Sequence, residues 1–217
     1  MIAKNFSFLD TVCLQIDHGL RVIHGIGIKS SRPNPADQHS AEISAAPTLT
    51  LQKQAAALMR VNQVGEICAQ ALYQGQAFTT RDPHIKHAMQ HAAAEELDHL
   101  SWCNQRLTEL HSHQSYLNPL WYVGAFSLGA FAGLLNDQWS LGFVLETERQ
   151  VEKHLASHLE KLPRDDLKSR AIVTQMKIDE KEHADAALAA GAKKLPHWVR
   201  TIMHFQAKVM TTTAYWV

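Results

Sequence analysis

Apolar residues recur every three or four positions along most of the chain. No stretch shows the alternation of apolar and polar residues that is typical of strands. From residue 48 onward the spacing predicts helices over about 48–80, 82–110, 138–162, from Asp165 or Asp166 to near Gly191, and 196–215. Asp82 followed by Pro83 is a favourable N-cap and first-turn pair, and Pro163 ends the helix before it. The pattern therefore predicts an all-α protein.

The first 47 residues follow a different pattern. Residues 5–24 place apolar side chains at helical spacing, whereas residues 25–47 are rich in Gly, Ser and Pro and predict a loop. We therefore expect a short helix and a loop over 1–47, followed by one helical domain over 48–217. Neither a signal peptide nor a typical transit peptide is visible, because Asp10 and Asp17 interrupt the apolar run and no Arg precedes Arg21.

The composition limits which kinds of binding partner are expected. The chain has 21 Lys and Arg against 21 Asp and Glu, and its formal net charge is +0 at pH 7 with His neutral. Since there is also no block rich in Lys or Arg, nucleic acid is not an expected partner. Cys13, Cys68 and Cys103 form no C-x-x-C pair. This favours reduced thiols in a reducing compartment over a disulfide framework or a zinc–cysteine site.

One candidate metal-ligand pattern occurs twice: a lone Glu, then a Glu-x-x-His motif 30 residues later in the first half and 32 residues later in the second. Residues three apart share a helix face, so each Glu-x-x-His can reach one ion. The separation suits one helix, a turn and the return along its neighbour. Four carboxylates and two imidazoles from four helices predict the dimetal site of a ferritin-like four-helix bundle. The candidate metal ligands are Glu66, Glu96, His99, Glu148, Glu180 and His183.

Other polar residues are expected to have lesser roles. Four acidic residues flank the candidate ligands, and we expect some of them to hydrogen-bond the ligand histidines. These are Glu95, Asp98, Glu146 and Glu182. His154 and His158 lie four residues apart but have no acidic ligand in register, so we expect exposed or hydrogen-bonded helix residues rather than a zinc site.

Residues 110–136 contain no Asp, Glu, Lys or Arg, and the apolar centre of this run, 119–135, is at the short edge for crossing a bilayer. A single crossing would place the two halves of the metal site on opposite sides of the membrane. The run is therefore either a buried core helix or a segment that enters one leaflet and returns. Trp121, Tyr122 and the apolar C-terminal helix favour surface attachment through residues 117–135. A charge at Phe126, in the middle of the run, would test that attachment.

Four stretches resemble the demethoxyubiquinone hydroxylase family. They are Val-Gly-Glu66-Ile-Cys-Ala-Gln-Ala-Leu-Tyr73-Gln-Gly75-Gln, Glu96-Leu-Asp-His99-Leu, Glu-Thr-Glu148-Arg-Gln-Val-Glu-Lys-His154, and Asp179-Glu180-Lys-Glu-His183. The resemblance covers about residues 48–217, and Ser-Arg-Pro-Asn-Pro-Ala before the first long helix is also similar to bacterial members. One departure is that family members commonly have His-Tyr where this chain has His154-Leu155, which leaves the role of an aromatic residue near the quinone open.

The resemblance implies a ferritin-like four-helix bundle with extra apolar helices for membrane-surface attachment. It implies a di-iron monooxygenase of ubiquinone biosynthesis, with the six candidate ligands around two iron ions, O2 as co-substrate, and no further catalytic or cofactor-binding residue. The substrate would be a polyprenylated demethoxy-benzoquinol, hydroxylated on its ring. A peripheral position on the cytoplasmic side of the inner membrane is expected, with accessory ubiquinone-biosynthesis proteins or a second copy of the chain as further partners.

Three alternatives remain open. A soluble ferritin-like ferroxidase or iron-storage bundle would share the ligands, although the long uncharged run argues against a soluble cage. A metal-free lipid-binding or scaffold protein would carry the Glu-x-x-His motifs by accident, and metal analysis separates it from the others. A hydroxylase of a modified nucleoside in tRNA would use a similar site, but the neutral charge disfavours it.

Overall fold

The computed structural model describes residues 7–39 and 48–217. Within these residues all regular secondary structure is helical, which confirms the all-α class. The elements, in chain order, are α1 Phe8–His24, a 3-10 turn Pro35–His39, α2 Leu49–Thr79, α3 Pro83–Glu109, α4 Asn118–Leu135, α5 Asp137–Lys161, α6 Leu167–Ala189 and α7 His197–Trp216. The predicted helix start at residue 5 and the predicted boundary between residues 47 and 48 involve residues outside the described ranges.

Side-chain caps set several helix starts. The Asp82 carboxylate accepts hydrogen bonds from the backbone N–H groups of His84 and Ile85, and Pro83 occupies the first turn, as predicted. Of the two predicted caps for α6, Asp166 is the one used: its carboxylate accepts from the backbone N–H of Ser169. Each cap satisfies a backbone donor that the helix itself leaves free, typically contributing about 1 kcal/mol.

Helices α2, α3, α5 and α6 surround the core, and α4 packs along the outer side of α2. Glycines allow the close approach of α2 and α4: a Cβ on Gly75 would overlap the backbone of Phe126, and a Cβ on Gly129 would overlap the backbone of Leu72. The side chain of Phe126 turns inward, toward Phe78 and Tyr122. The uncharged run is therefore neither a fully buried helix nor a detached one, and Phe126 is the wrong residue with which to test its outer surface.

The opposite face of α4 and one face of α7 are apolar and exposed. On α4 this outward face carries Leu120, Val123, Phe131 and Leu134; on α7 it carries Trp198, Ile202, Phe205, Val209 and Trp216. The two faces border an apolar groove of about 440 Å³, lined among others by Leu128, Phe131, Trp198, Ile202 and Met203. No helix in the described ranges combines the length and hydropathy needed to span a membrane.

The N-terminal segment folds back over the bundle. Helix α1 packs against α2 and α4, where Val22 is buried in a cluster with Ile67 and Tyr122. The chain then continues as a strap, defined here as residues 28–39, which contacts α3 and α6. Asn34 donates a hydrogen bond to Gln105 on α3 at 2.9 Å, and Ala36 joins the core cluster. The strap thus crosses the seam between the two helices that carry the Glu-x-x-His motifs.

Candidate metal centre

The structure brings all six predicted ligands together inside the bundle. Helices α2 and α5 each contribute the lone Glu, and α3 and α6 each contribute a Glu-x-x-His pair. The side chains form two groups within which one donor atom of each residue lies within 4.8 Å of the others. The first group is Glu66, Glu96, His99 and Glu180; the second is Glu96, Glu148, Glu180 and His183. Because Glu96 and Glu180 belong to both groups, the arrangement is that of two adjoining ion positions with shared carboxylates.

Distances between the donor atoms fit ions at these positions. His99 Nδ1 lies 3.0 Å from a Glu96 oxygen, 3.4 Å from Glu66 and 3.5 Å from Glu180. His183 Nδ1 lies 3.3 Å from Glu96 and 3.6 Å from Glu180. Ligand atoms about 2.1 Å from one metal ion lie roughly 3 Å from one another, so only small adjustments are needed. Both imidazoles direct the same ring nitrogen, Nδ1, at the carboxylates.

The cluster also contains buried polar atoms without hydrogen-bond partners among the described residues. Both Glu148 oxygens are of this kind, as are one oxygen each of Glu66, Glu96 and Glu180. Buried carboxylate oxygens without a partner are unfavourable. Two divalent cations would balance four carboxylates and use these free oxygens, so the residues present fit a dimetal centre.

Without metal, the same groups compete for protons. Burial raises the pKa of Glu66 and of Glu148 well above the usual value, and for Glu148 the charge of Glu180 adds to this. Burial alone would also raise the pKa of Glu96, but its close contacts with His183 and His99 hold it below its ordinary value. Burial opposes a charge on His183, yet its contacts with Glu180 and Glu96 raise its pKa to about 12. In the metal-free protein, protons therefore take over part of the charge neutralisation.

The outer nitrogen of each ligand histidine also has a carboxylate partner. His99 Nε2 lies 2.8 Å from Asp179, and His183 Nε2 lies 3.0 Å from Glu95. A carboxylate on Nε2 favours the tautomer that leaves Nδ1 free for a metal. The sequence predicts such a role for the flanking acids, and the structure places Glu95 in it. Asp98 instead accepts hydrogen bonds from the strap, and the role of Asp179 is not evident from the sequence.

His154 and His158 differ from their prediction. Their ring centroids are 3.9 Å apart. His158 is buried rather than exposed, and its Nδ1 has no hydrogen-bond partner among the described residues. Burial lowers the pKa of His154 to about 4 and that of His158 to about 2, with nearby Lys161 contributing in both cases. The pair is therefore a neutral, packed part of α5, and no third ligand joins it in the described part of the chain.

A helical bundle in which two helices give a lone Glu and two give a Glu-x-x-His pair is the arrangement of the ferritin-like dimetal carboxylate proteins. Within that class, the sequence identifies one family. Residues 53–214 match the family model described as "Ubiquinone biosynthesis protein COQ7", and the chain belongs to this family.

Related proteins are similar to this chain over nearly its full length. The chain is 56% identical over 210 residues to a protein of Polynucleobacter asymbioticus named 3-demethoxyubiquinol 3-hydroxylase, covering 96% of this chain and 99% of the relative. A protein of the same name from Paraburkholderia xenovorans is 53% identical, with coverages of 97% and 100%. Another from Pseudomonas putida is 50% identical, with coverages of 98% and 97%.

The raised pKa of Glu148 gives a first prediction. Glu148→Gln is expected to raise the melting temperature of the metal-free protein at pH 8, because it removes a buried charge while keeping the side-chain shape. For a chain of this length, each kcal/mol recovered raises the melting temperature by about 2–4 °C. A carboxyl whose pKa is raised on folding stabilises the protein at low pH, and this stability is lost as pH rises. The gain should therefore shrink toward pH 5, as thermal unfolding followed by circular dichroism would show.

Glu160→Gln is the matched control, because Glu160 is an exposed residue of the same helix. It should leave the melting temperature unchanged at both pH values. A large destabilisation by Glu148→Gln at pH 8 would mean that the ionised carboxylate supports the fold without metal, contrary to this interpretation.

Proposed function

We propose that this protein is an O2-dependent di-iron monooxygenase that hydroxylates the ring of a polyprenylated demethoxy-benzoquinol in ubiquinone biosynthesis. The observation that carries the proposal is the buried pair of ligand groups sharing Glu96 and Glu180. Membership of the COQ7 family and the name of the relatives, 3-demethoxyubiquinol 3-hydroxylase, support the choice of reaction and substrate.

The residues suit this chemistry in three ways. Four carboxylates and two neutral imidazoles favour ferrous and ferric ions, which supply O2 activation when bound. Five of the six side chains are buried and His183 is 13% exposed, which limits the access of bulk water to the reacting centre. Asp179 and Glu95 hold the two imidazole rings so that each presents Nδ1 to the site. The electrons are proposed to reach the centre from an external donor or from the quinol itself.

The same proposal places the protein peripherally on the cytoplasmic side of the inner membrane. Support comes from the exposed apolar faces of α4 and α7, which suit contact with lipid, and from the long isoprenoid tail of the proposed substrate. The three free cysteines agree with a reducing compartment. Accessory ubiquinone-biosynthesis proteins and a homo-oligomer stay predictions.

The function is tested by quinone analysis. In cells lacking this protein, mass analysis of extracted quinones should show accumulation of a demethoxy intermediate. The intact gene should restore the mature quinone, and a Glu96→Ala variant should not. With the purified, iron-loaded protein, a demethoxyquinol and labelled O2, one labelled oxygen should enter the ring. Rapid oxidation of ferrous iron without any ring hydroxylation would contradict the proposal and support the ferroxidase alternative.

A further inference from the structure

One side chain of the strap, Arg32, contacts both helices that carry the Glu-x-x-His motifs. Arg32 Nε donates a hydrogen bond to Asp98 on α3 at 2.7 Å, and Arg32 Nη2 lies 2.9 Å from Asp179 on α6. The guanidinium is also placed over the ring of Trp102, 4.9 Å from its centroid, and Trp102 Nε1 donates to Ser30 Oγ at 3.0 Å. Arg32 thus links α3 and α6 beside the metal centre.

Asp179 connects Arg32 to a candidate ligand. The Asp179 oxygen that pairs with Arg32 is also the one that lies 2.8 Å from His99 Nε2. Its other oxygen accepts a hydrogen bond from Gln175 at 2.8 Å. Both oxygens are therefore fixed, and the His99 ring has little freedom to turn. This contact chain runs from residue 32, outside the part of the chain that the family model matches, to the metal centre.

The other ligand histidine lacks comparable support. His183 Nε2 contacts Glu95, whose side chain is 40% exposed, whereas the Asp179 side chain is 9% exposed. Among the described residues, the one further ion pair of Glu95 is with His91, whose side chain is 67% exposed. Contacts between exposed groups are weakened by water and salt. The two halves of the centre are therefore alike in their ligands but unlike in what holds their histidines.

We propose that Arg32 is a positioning residue that, through Asp179, makes the two metal positions unequal, so that the position with Glu66 and His99 binds its ion more tightly than the position with Glu148 and His183. The proposal rests on the dimetal site of the proposed function but not on the identity of the substrate. Its physical basis is that a ligand held in its binding orientation loses less conformational freedom when the ion binds. Loss of such an outer partner typically costs about 10–100-fold in metal affinity.

Anaerobic titration of the full-length, metal-free protein with Co²⁺ tests this by calorimetry and by the visible absorption of the bound ion. The wild-type protein should bind in two steps of different affinity. His99→Ala should remove the tighter step, and His183→Ala should remove the weaker one. Arg32→Ala should lower the Co²⁺ affinity of the tighter step by about 10–100-fold and change the visible spectrum of the ion bound in that step. The affinity of the weaker step should stay within about threefold of its wild-type value. Arg32→Lys, which keeps the charge, should recover part of the affinity.

Arg21→Ala is the matched control, because Arg21 also lies in the N-terminal segment but forms an exposed pair with Asp17. It should alter neither step. Equal weakening of both steps by Arg32→Ala, or an unchanged tighter step, would overturn the proposal. Failure of the wild-type protein to bind any Co²⁺ would instead contradict the dimetal site itself. If Arg32→Ala does not fold, Asp179→Asn tests the same chain from its other end, and an unchanged tighter step would again refute it.

Discussion

Glu180→Ala is expected to remove both metal ions and abolish hydroxylation. Its carboxylate belongs to both ligand groups, so its loss leaves each position one ligand short. Wild-type protein loaded anaerobically with ferrous iron and then desalted should retain close to two ions per chain by elemental analysis, and Glu180→Ala close to none. Glu96→Ala should behave in the same way, because Glu96 is the other shared residue.

The two ligand groups also predict that some variants lose only one of the two ions. Glu66 and Glu148 each belong to one group, so Glu66→Ala or Glu148→Ala should leave about one ion per chain. Glu182→Ala is the matched control, because this exposed residue lies two positions from Glu180 and outside both groups. Two retained ions in Glu180→Ala would show that the shared carboxylates are not ligands. Iron absent from the wild type under ample metal would refute the dimetal site.

Phe131→Asp is expected to lower binding to anionic lipid vesicles by about a hundredfold. The Phe131 side chain is 57% exposed on the outward face of α4, beside the groove shared with α7. Losing the burial of a Phe side chain costs about 1.5–3 kcal/mol, and the cost of placing a charge next to the acyl chains adds to this. Iron content should be unchanged, because none of the six candidate ligands lies on α4. Vesicle sedimentation measures the binding, and activity should fall more with a long-tailed quinol than with a short-tailed one.

Leu188→Asp provides the comparison, since Leu188 is 50% exposed on α6 and lies outside the apolar faces of α4 and α7. It should leave vesicle binding intact. Equal vesicle binding by wild type and Phe131→Asp would contradict attachment through α4. A loss of both folding and iron in Phe131→Asp would assign the face to core packing rather than to lipid contact.

Most of the fold could be predicted because helix signals are local. Apolar spacing and caps such as Asp82 with Pro83 fixed the long helices to within a few residues. The six residues that the structure brings together could also be selected from the sequence, because Glu-x-x-His spacing has meaning within a single helix and the lone Glu precedes it by a similar distance in both halves. Their role as metal ligands stays a prediction. The orientation of α4 was not predictable: nearly every position of this helix is apolar, so its pattern does not distinguish an inward residue such as Phe126 from an outward one such as Phe131.

Contacts between distant parts of the chain explain the remaining differences. Asp179 meets His99 across 80 positions, and Arg32 meets Asp98 across 66. Neither spacing corresponds to a helix period, so only the packed structure brings these groups together. His158 is a similar case, because a polar residue at the edge of a helical pattern is expected to be exposed unless a neighbouring element covers it.

The glycine contact between α2 and α4 has a mechanical consequence. Gly75 and Gly129 bring the two backbones together without side chains between them that could deform. Close-packed interiors transmit displacement rather than absorb it. A force applied to α4, such as the lateral pressure of a lipid surface, would therefore be passed to the helix that carries Glu66. The close contact of α2 and α4 thus connects the proposed lipid-facing surface with the candidate ligand on α2.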